Sequence, residues 1–261
     1  MLIGAMNHPA HDVLEELEWI AEMGFDFVDL TLEPPLARAE RVNPTAIRAF
    51  LDARHLTVVG HTAYYLPISS GFESLRLAAV DELRACLRVF AKMGAKWMNL
   101  HPDREAPMFG RQFVVEQNRK SIYELLPLAR ELGVGLMIEN LPGGFNTRDQ
   151  LADLLDSIPE LALHLDIGHA NLFLDRNSSA EILGAYGDRL RHVHLHDNKG
   201  GNADLHLPLG TGTIDLIAQV RALKASGYDG TITLEVFSPD KRHLQYSKEL
   251  LRNAWDTVSG N

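Results

Sequence analysis

The sequence predicts a single (β/α)8 TIM barrel, an α/β fold occupying residues 1–261 as one domain, and three observations carry that expectation. The chain is 261 residues long, the length typical of a complete eight-fold barrel. A phrase recurs in which an amphipathic helix ends at glycine and a short apolar strand follows. Between those phrases, apolar periodicity switches between strand and helix through eight cycles.

The phrase is clearest at AEMGFDFVDLTL (Ala21 to Leu32), AKMGAKWMNLHP (Ala91 to Pro102), RELGVGLMIENL (Arg130 to Leu141) and KASGYDGTITLEVF (Lys224 to Phe237). Filling in the intervals gives strands near Leu2–Met6, Phe27–Leu32, Leu56–Gly60, Trp97–Leu100, Gly135–Ile138, Leu161–Leu165, Leu190–Leu195 and Thr231–Leu234. Helical patterns begin near Asp12, Pro44, Glu73, Val115, Thr147, Ser178, Ile214 and Arg242, with Asn43, Asn146 and Thr213 as N-caps. Strict alternation demands a parallel sheet. Neither GxGxxG nor GxxxxGK[ST] occurs, so the Gly-rich phosphate turn of an open, doubly wound sheet is missing and closure is favoured.

Composition narrows the function classes. Hydrophobic residues make up 46% and charged residues 23% of the chain, which is ample for a core and argues against disorder. Cys86 is the only cysteine, so no disulfide forms within the chain. The opening MLIGAMNHP has neither a basic leader nor an apolar h-region, and no run of about 18 apolar residues appears anywhere. A reducing, cytoplasmic location without membrane contact is expected. The net charge of −10, with no Lys/Arg-rich block, disfavours nucleic acid as a partner, although bound cations could reverse the charge locally.

Barrel chemistry sits at the carboxyl ends of the strands. There the sequence delivers His61, His101, Glu139, Asp166, His194 and Glu235 from six successive strands. Each alone has a plainer role as a hydrogen-bonded loop residue. Together they are another matter: carboxylates converging to about 4 Å repel by roughly 4 kcal/mol per pair at an effective dielectric of 20, so they need cations or protons. Interleaved histidines point to cations. His169 follows Asp166 by a short turn. Asp204 and His206, one residue apart, can face the same way from a glycine-rich loop. Strand seven carries His192, His194 and His196 at period two. His192 should lie deeper as a hydrogen-bonded core residue, and His196 above the rim as a contact to ligands or substrate. Tyr64, Tyr65, Phe109, Phe145 and Phe173 offer aromatic surface from nearby loops, with ordinary packing as their plainer role. Lys199 and Arg104 are the best-placed cations for a phosphate or carboxylate group, with a solvated surface charge as their plainer role.

On these residues the sequence resembles the xylose isomerase-like TIM-barrel superfamily, which includes sugar isomerases and epimerases and the endonuclease IV family (AP endonuclease family 2). The resemblance covers essentially the whole chain. Its most specific parts are IENLPGG with Glu139, LDIGHA with Asp166 and His169, HVHLHDNKG with His194, DLHLPLGTG with Asp204 and His206, and TLEVF with Glu235. The resemblance implies one of two metal sets. The trinuclear zinc set of endonuclease IV is matched by His61, His101, Glu139, Asp166, His169, His194, Asp204, His206 and Glu235. The single-metal set of the isomerases and epimerases is matched by Glu139, Asp166, His194 and Glu235, with His169 as a substrate contact. One departure matters: the loop after strand two reads LEPPLARAE, without the polar and basic DNA-penetrating side chains of endonuclease IV. Tyr64, however, falls where that family has a tyrosine.

The expected function is therefore a divalent-metal-dependent isomerase or epimerase of a sugar, sugar phosphate or polyol, using one to three Zn2+ or Mn2+ ions. In this reading Glu139 and Glu235 transfer protons through a metal-stabilised enediolate, and His169, His196, Lys199 and Tyr64 contact the substrate. A zinc phosphodiesterase of endonuclease IV type is the alternative, and a non-catalytic metal-binding barrel the third. Related lyase chemistry would use the same groups. The partner is a small sugar-like molecule, and a homo-oligomer is compatible with the sequence.

Overall fold

The computed structural model describes residues 1–103 and 108–258. Arg104, named above as a candidate cation for a phosphate or carboxylate group, lies outside the described residues. The chain alternates as β1 (Leu2–Met6), α1 (Val13–Glu22), β2 (Phe27–Leu32), α2 (Pro44–Arg54), β3 (Thr57–Thr62), α3 (Glu73–Met93), β4 (Trp97–Leu100) and α4 (Arg111–Leu132). It continues as β5 (Gly135–Glu139), α5 (Arg148–Leu155), β6 (Ala162–Asp166), α6 (Ser179–Tyr186), β7 (Leu190–Leu195), α7 (Leu216–Ala225), β8 (Thr231–Leu234) and α8 (Arg242–Thr257). The strands form a closed barrel in the order β1 to β8. None of the described helices is long and apolar enough to cross a membrane.

The residues fall into two compact units. One comprises Met6–Glu139 and Ala152–Ala162, the other Met1–Ala5, Asn140–Leu151 and Leu163–Asn261. In the former, β2 pairs in parallel with β3 from Phe27 opposite Thr57 to Leu32 opposite Thr62, and β4 with β5 from Trp97 opposite Gly135. Phe27, Val59, Met137 and Ala162 form a buried apolar cluster, with Trp97 packed against it. Two residues further along the same strand faces come Asp29, His61, Glu139 and Asn99, because side chains repeat with period two. Apolar floor thus gives way to polar residues toward the carboxyl ends.

Helix α3 shows how the outer layer is held. Val80, Leu83, Leu87 and Phe90 are buried along one stripe, and full burial of each such side chain is worth about 1.5–3 kcal/mol relative to exposure. Phe90 presses so close to β3 that a Cβ on Gly60 would lie 2.7 Å from its ring. Arg76, fully buried, joins α3 to α4: it donates to both carboxylate oxygens of Glu73 at 2.8 Å, to Ser121 at 2.9 Å and to Glu124 at 2.7 Å. Cys86 is buried in the same helix, and burial pushes its thiol up to about 12, leaving it inert as a nucleophile at neutral pH.

In the other unit, β6 pairs with β7 so that His164 lies opposite His192 and Asp166 opposite His194, while β7, β8 and β1 continue in parallel. His192 is satisfied as expected, with Thr231 Oγ1 at 2.7 Å from Nδ1 and Thr233 Oγ1 at 3.0 Å from Nε2.

Several expectations need correction. Strand β3 starts at Thr57 and runs through His61 to Thr62, and α4 starts a turn before Val115, at Arg111. Asn43 caps α2 by accepting from the Ala46 N–H, but Asn146 and Thr213 do not cap. Thr147 Oγ1 accepts from the Gln150 N–H at α5 and Asp215 from the Ala218 N–H at α7. Asn146 instead donates to the carbonyls of His169 and Leu172, and Thr213 bonds the carbonyl of Asn198. Both are claimed by a neighbouring loop. Phe145 is buried, the plainer packing role given to it above.

Candidate metal centre

The unit holding β2 to β5 brings together three of the expected ligands. His61 lies near the end of β3, His101 directly follows β4, and Glu139 ends β5. His101 Nε2 is 2.9 Å and His61 Nε2 4.0 Å from Glu139 Oε2, and all three residues are buried. Asn99, which the sequence reading passed over, organises the group. Its Nδ2 donates to Glu139 Oε2 at 2.9 Å, and its Oδ1 accepts from the Thr62 N–H at 2.7 Å. The amide thus continues the ladder where the strands diverge and orients the carboxylate at the same time. Tyr64 is largely exposed, its ring centroid 6.5 Å from that of His101.

The other unit gathers Asp166, His169, His194, His196, Asp204, His206 and Glu235. His194 Nδ1 lies 3.2 Å from Glu235 Oε2 and 3.9 Å from Asp166 Oδ2. Glu235 Oε2 is buried and makes no hydrogen bond. A buried oxygen without a hydrogen-bond donor is rare and is compatible with a cation beside it. His169 and His206 both place Nε2 3.1 Å from Asp204 Oδ2, and His196 Nε2 is 3.6 Å from Asp204 Oδ1. His196 directly follows β7, is fully buried and stacks on His206 at 4.0 Å. Lys199 is exposed.

Electrostatics in this group are dominated by charge pairing. Burial alone would raise the Asp204 carboxyl, but hydrogen bonds with His169 and His206 outweigh it and hold the group well below the ordinary carboxylate range. Burial opposes the charge on His206, yet Glu235 and Asp204 raise it to about 9. A proton at this position does the electrostatic work that a cation would do.

Two more residues escaped the sequence reading. Asp197 folds the long loop after β7: Oδ1 accepts from the N–H groups of Asn198 and Ile214, and Oδ2 from those of Gly210 and Gly212. A Cβ on Gly212 would lie 2.3 Å from Asp197 Oδ1, so glycine is required there. Asn140 accepts from the Asp166 N–H at 2.7 Å and donates to the Asp166 carbonyl at 2.9 Å. The available signal was an Asn or Asp at each strand end, next to a ligand. His164 also lies in the barrel, its ring 4.2 Å from that of His194, and its spacing of two from Asp166 matches that of His192 from His194.

Comparisons with known proteins agree with this architecture. The sequence model of the family described as "Xylose isomerase-like TIM barrel" matches residues 17–254. The ketose 3-epimerase of Arthrobacter globiformis is 30% identical over 97% of this chain and 88% of its own length. A solved D-tagatose 3-epimerase-like protein superposes with a TM-score of 0.88 at 25% identity, covering 99% of this chain and 98% of its own. The IOLI protein, solved with a binding zinc atom, gives a TM-score of 0.82 at 17% identity with 100% of both chains covered.

Proposed function

Because the chain belongs to the xylose isomerase-like TIM-barrel family, we propose that it is a divalent-metal-dependent epimerase or isomerase acting on a ketose, its phosphate or a related polyol. The reading rests on one donor set at the carboxyl ends of strands: Glu139, Asp166, His194 and Glu235 supply three carboxylates and one imidazole, the set the resemblance assigns to one catalytic cation. Fit is supported at Glu235, whose buried Oε2 faces His194 Nδ1 at 3.2 Å without a hydrogen bond. Likeness to a ketose 3-epimerase favours a ketose with carbon 3 as the reacting centre.

Zn2+ and Mn2+ both suit such oxygen and nitrogen donors. When bound, the cation supplies Lewis acidity toward the oxygens of a hydroxy-ketone and offsets the mutual repulsion of the carboxylates. Glu139 and Glu235 carry the protons. One takes the proton from the carbon beside the carbonyl, leaving an enediolate, and the other delivers a proton to the opposite face. Configuration inverts, and the two carboxyls finish with their protonation states exchanged, to be reset by solvent. Asn99 fixes the direction of the Glu139 carboxylate through its 2.9 Å hydrogen bond. Exposed Lys199 and Tyr64 remain available to a phosphate and to an apolar sugar face, respectively.

Incubation with a panel of ketoses in deuterated water, with Mn2+ or Zn2+, is expected to introduce deuterium beside the carbonyl and to yield the epimer. Folded, metal-loaded protein that exchanges no ketose in a broad panel contradicts the reading. One observation favours a second reading, a zinc phosphodiesterase: all nine residues of the endonuclease IV set are present. Incision of abasic-site DNA, abolished by Glu139→Gln, would support it. The proline-containing loop after β2 and the absence of a basic block weigh against it.

A further inference from the structure

Glu33 has no part in the proton transfers proposed above, yet the chain brings it to the same rim. On β2, Thr31 pairs in register with His61, and its Oγ1 lies 3.3 Å from His61 Nδ1. Side chains alternate along a strand, and a residue before proline is held extended. Glu33, followed by Pro34, therefore continues the face of Thr31 just beyond the strand end at Leu32. It is partly exposed and hydrogen-bonded to the Tyr65 side chain. An arc of side chains links this pair to the reacting carboxylate. His101 Nε2 lies 2.9 Å from Glu139 Oε2, the Tyr64 ring stands nearly perpendicular to His101, and Tyr65 meets Tyr64 edge to face at 5.4 Å. All of these residues belong to one compact unit. Tyr64 is 60% and Tyr65 53% exposed, so both rings are open to a ligand.

We propose that Glu33 and Tyr65 form a specificity subsite for the end of the substrate remote from Glu139, one that receives sugar hydroxyls and rejects a phosphate. The inference rests on the epimerase reading and narrows it, from a ketose or its phosphate to the free ketose, through two residues that take no part in the reaction itself.

The polarity of the hydrogen bond carries the argument. A carboxylate only accepts, and a phenol has a single proton to give. Tyr65 gives that proton to Glu33. Partial burial, and then the Glu33 charge, hold the phenol above its ordinary value, so it stays protonated at neutral pH. What the pair turns toward a ligand is acceptor oxygen. Sugar hydroxyls supply the matching donors, and the Tyr64 ring offers a face to the C–H side of the sugar. A phosphate brings only further acceptors and negative charge, which the Glu33 carboxylate repels. Cations of the same loop do not offset this: among the described residues, Arg38 pairs with Glu40 and Arg41 donates to the Pro35 carbonyl.

The test takes whichever ketose the metal-loaded protein exchanges fastest, together with its terminal phosphate, and compares kcat/KM for the two. Wild-type protein should favour the free sugar by at least about tenfold. Glu33→Gln keeps the shape and removes the charge. Its KM for the free ketose should rise by more than kcat falls, as expected of a contact made equally before and during reaction. Its preference over the phosphate should shrink by about five- to tenfold, the effect of one charge a few ångströms away in a largely aqueous setting. Tyr65→Phe should also raise KM for the free ketose but leave the rejection of phosphate standing, because the Glu33 charge remains. Should Glu33→Gln not fold, the wild-type ratio and Tyr65→Phe decide. A wild-type preference for the phosphate, an unchanged ratio in Glu33→Gln or an unchanged KM in Tyr65→Phe overturns the proposal and leaves the epimerase reading intact. Failure to exchange any ketose of the panel overturns both.

Discussion

Glu139 and Glu235 meet different surroundings, and their substitution should expose the division of labour. Glu139 Oε2 accepts from Asn99 and lies against His101, whereas Glu235 Oε2 makes no hydrogen bond. Loss of a general acid or base costs typically about 10²–10⁴ in rate, so Glu139→Gln and Glu235→Gln should each lower kcat by that range. Ketose affinity, read by equilibrium binding, should change far less. A fall in affinity with kcat retained would reassign both to binding. Their position was legible in the sequence, because Glu139 ends β5 and Glu235 directly follows β8 in a parallel alternation. Asn99 and Asn140 were not. Their amides bridge to the backbone at Thr62 and Asp166, contacts distant in sequence that no local spacing reveals. The full burial of His196 was not legible either, because period two gives the direction of a side chain and not how the surrounding chain covers it.

At the scale of elements, the helix-to-strand phrase was readable because it has a local cause. Gly24, Gly94, Gly133 and Gly227 all adopt positive φ at helix ends, as the sequence phrase requires. Gly133 isolates that cause, since nothing lies within 4 Å of the Cβ that alanine would add. Gly133→Ala should therefore destabilise the fold by about 1–2 kcal/mol, the cost of a left-handed non-glycine residue. Chemical denaturation checks this, and an unchanged midpoint would remove the capping explanation. Asn146 and Thr213 failed as caps because long-range partners compete for the same side chains. Between α3 and α4, hydrogen bonds from Arg76 and then Lys120 hold the Glu73 carboxyl down to about 2, from an ordinary 4.5. A folded value below the unfolded one stabilises above the unfolded value and is lost as pH falls through the folded one. Glu73→Gln should thus flatten the loss of stability between roughly pH 4.5 and 2, measured as unfolding midpoint against pH. An identical slope in both proteins would show that the pair contributes nothing.

For the whole molecule, closure of eight parallel strands followed from length and alternation, and the polar character of the strand ends followed from position alone. What the sequence could not specify is how the donors divide. The described structure gives one group around Glu139 and another running from Asp166 to Glu235, and their union at one catalytic cation is the account's central claim. Anomalous X-ray scattering from crystals of Mn2+- or Zn2+-loaded protein tests it most directly. The account predicts a peak within coordination distance, about 2.0–2.2 Å for Zn2+, of carboxylate oxygens from Glu139, Asp166 and Glu235 and a ring nitrogen of His194. A loaded crystal with no peak shared by these four residues would contradict it.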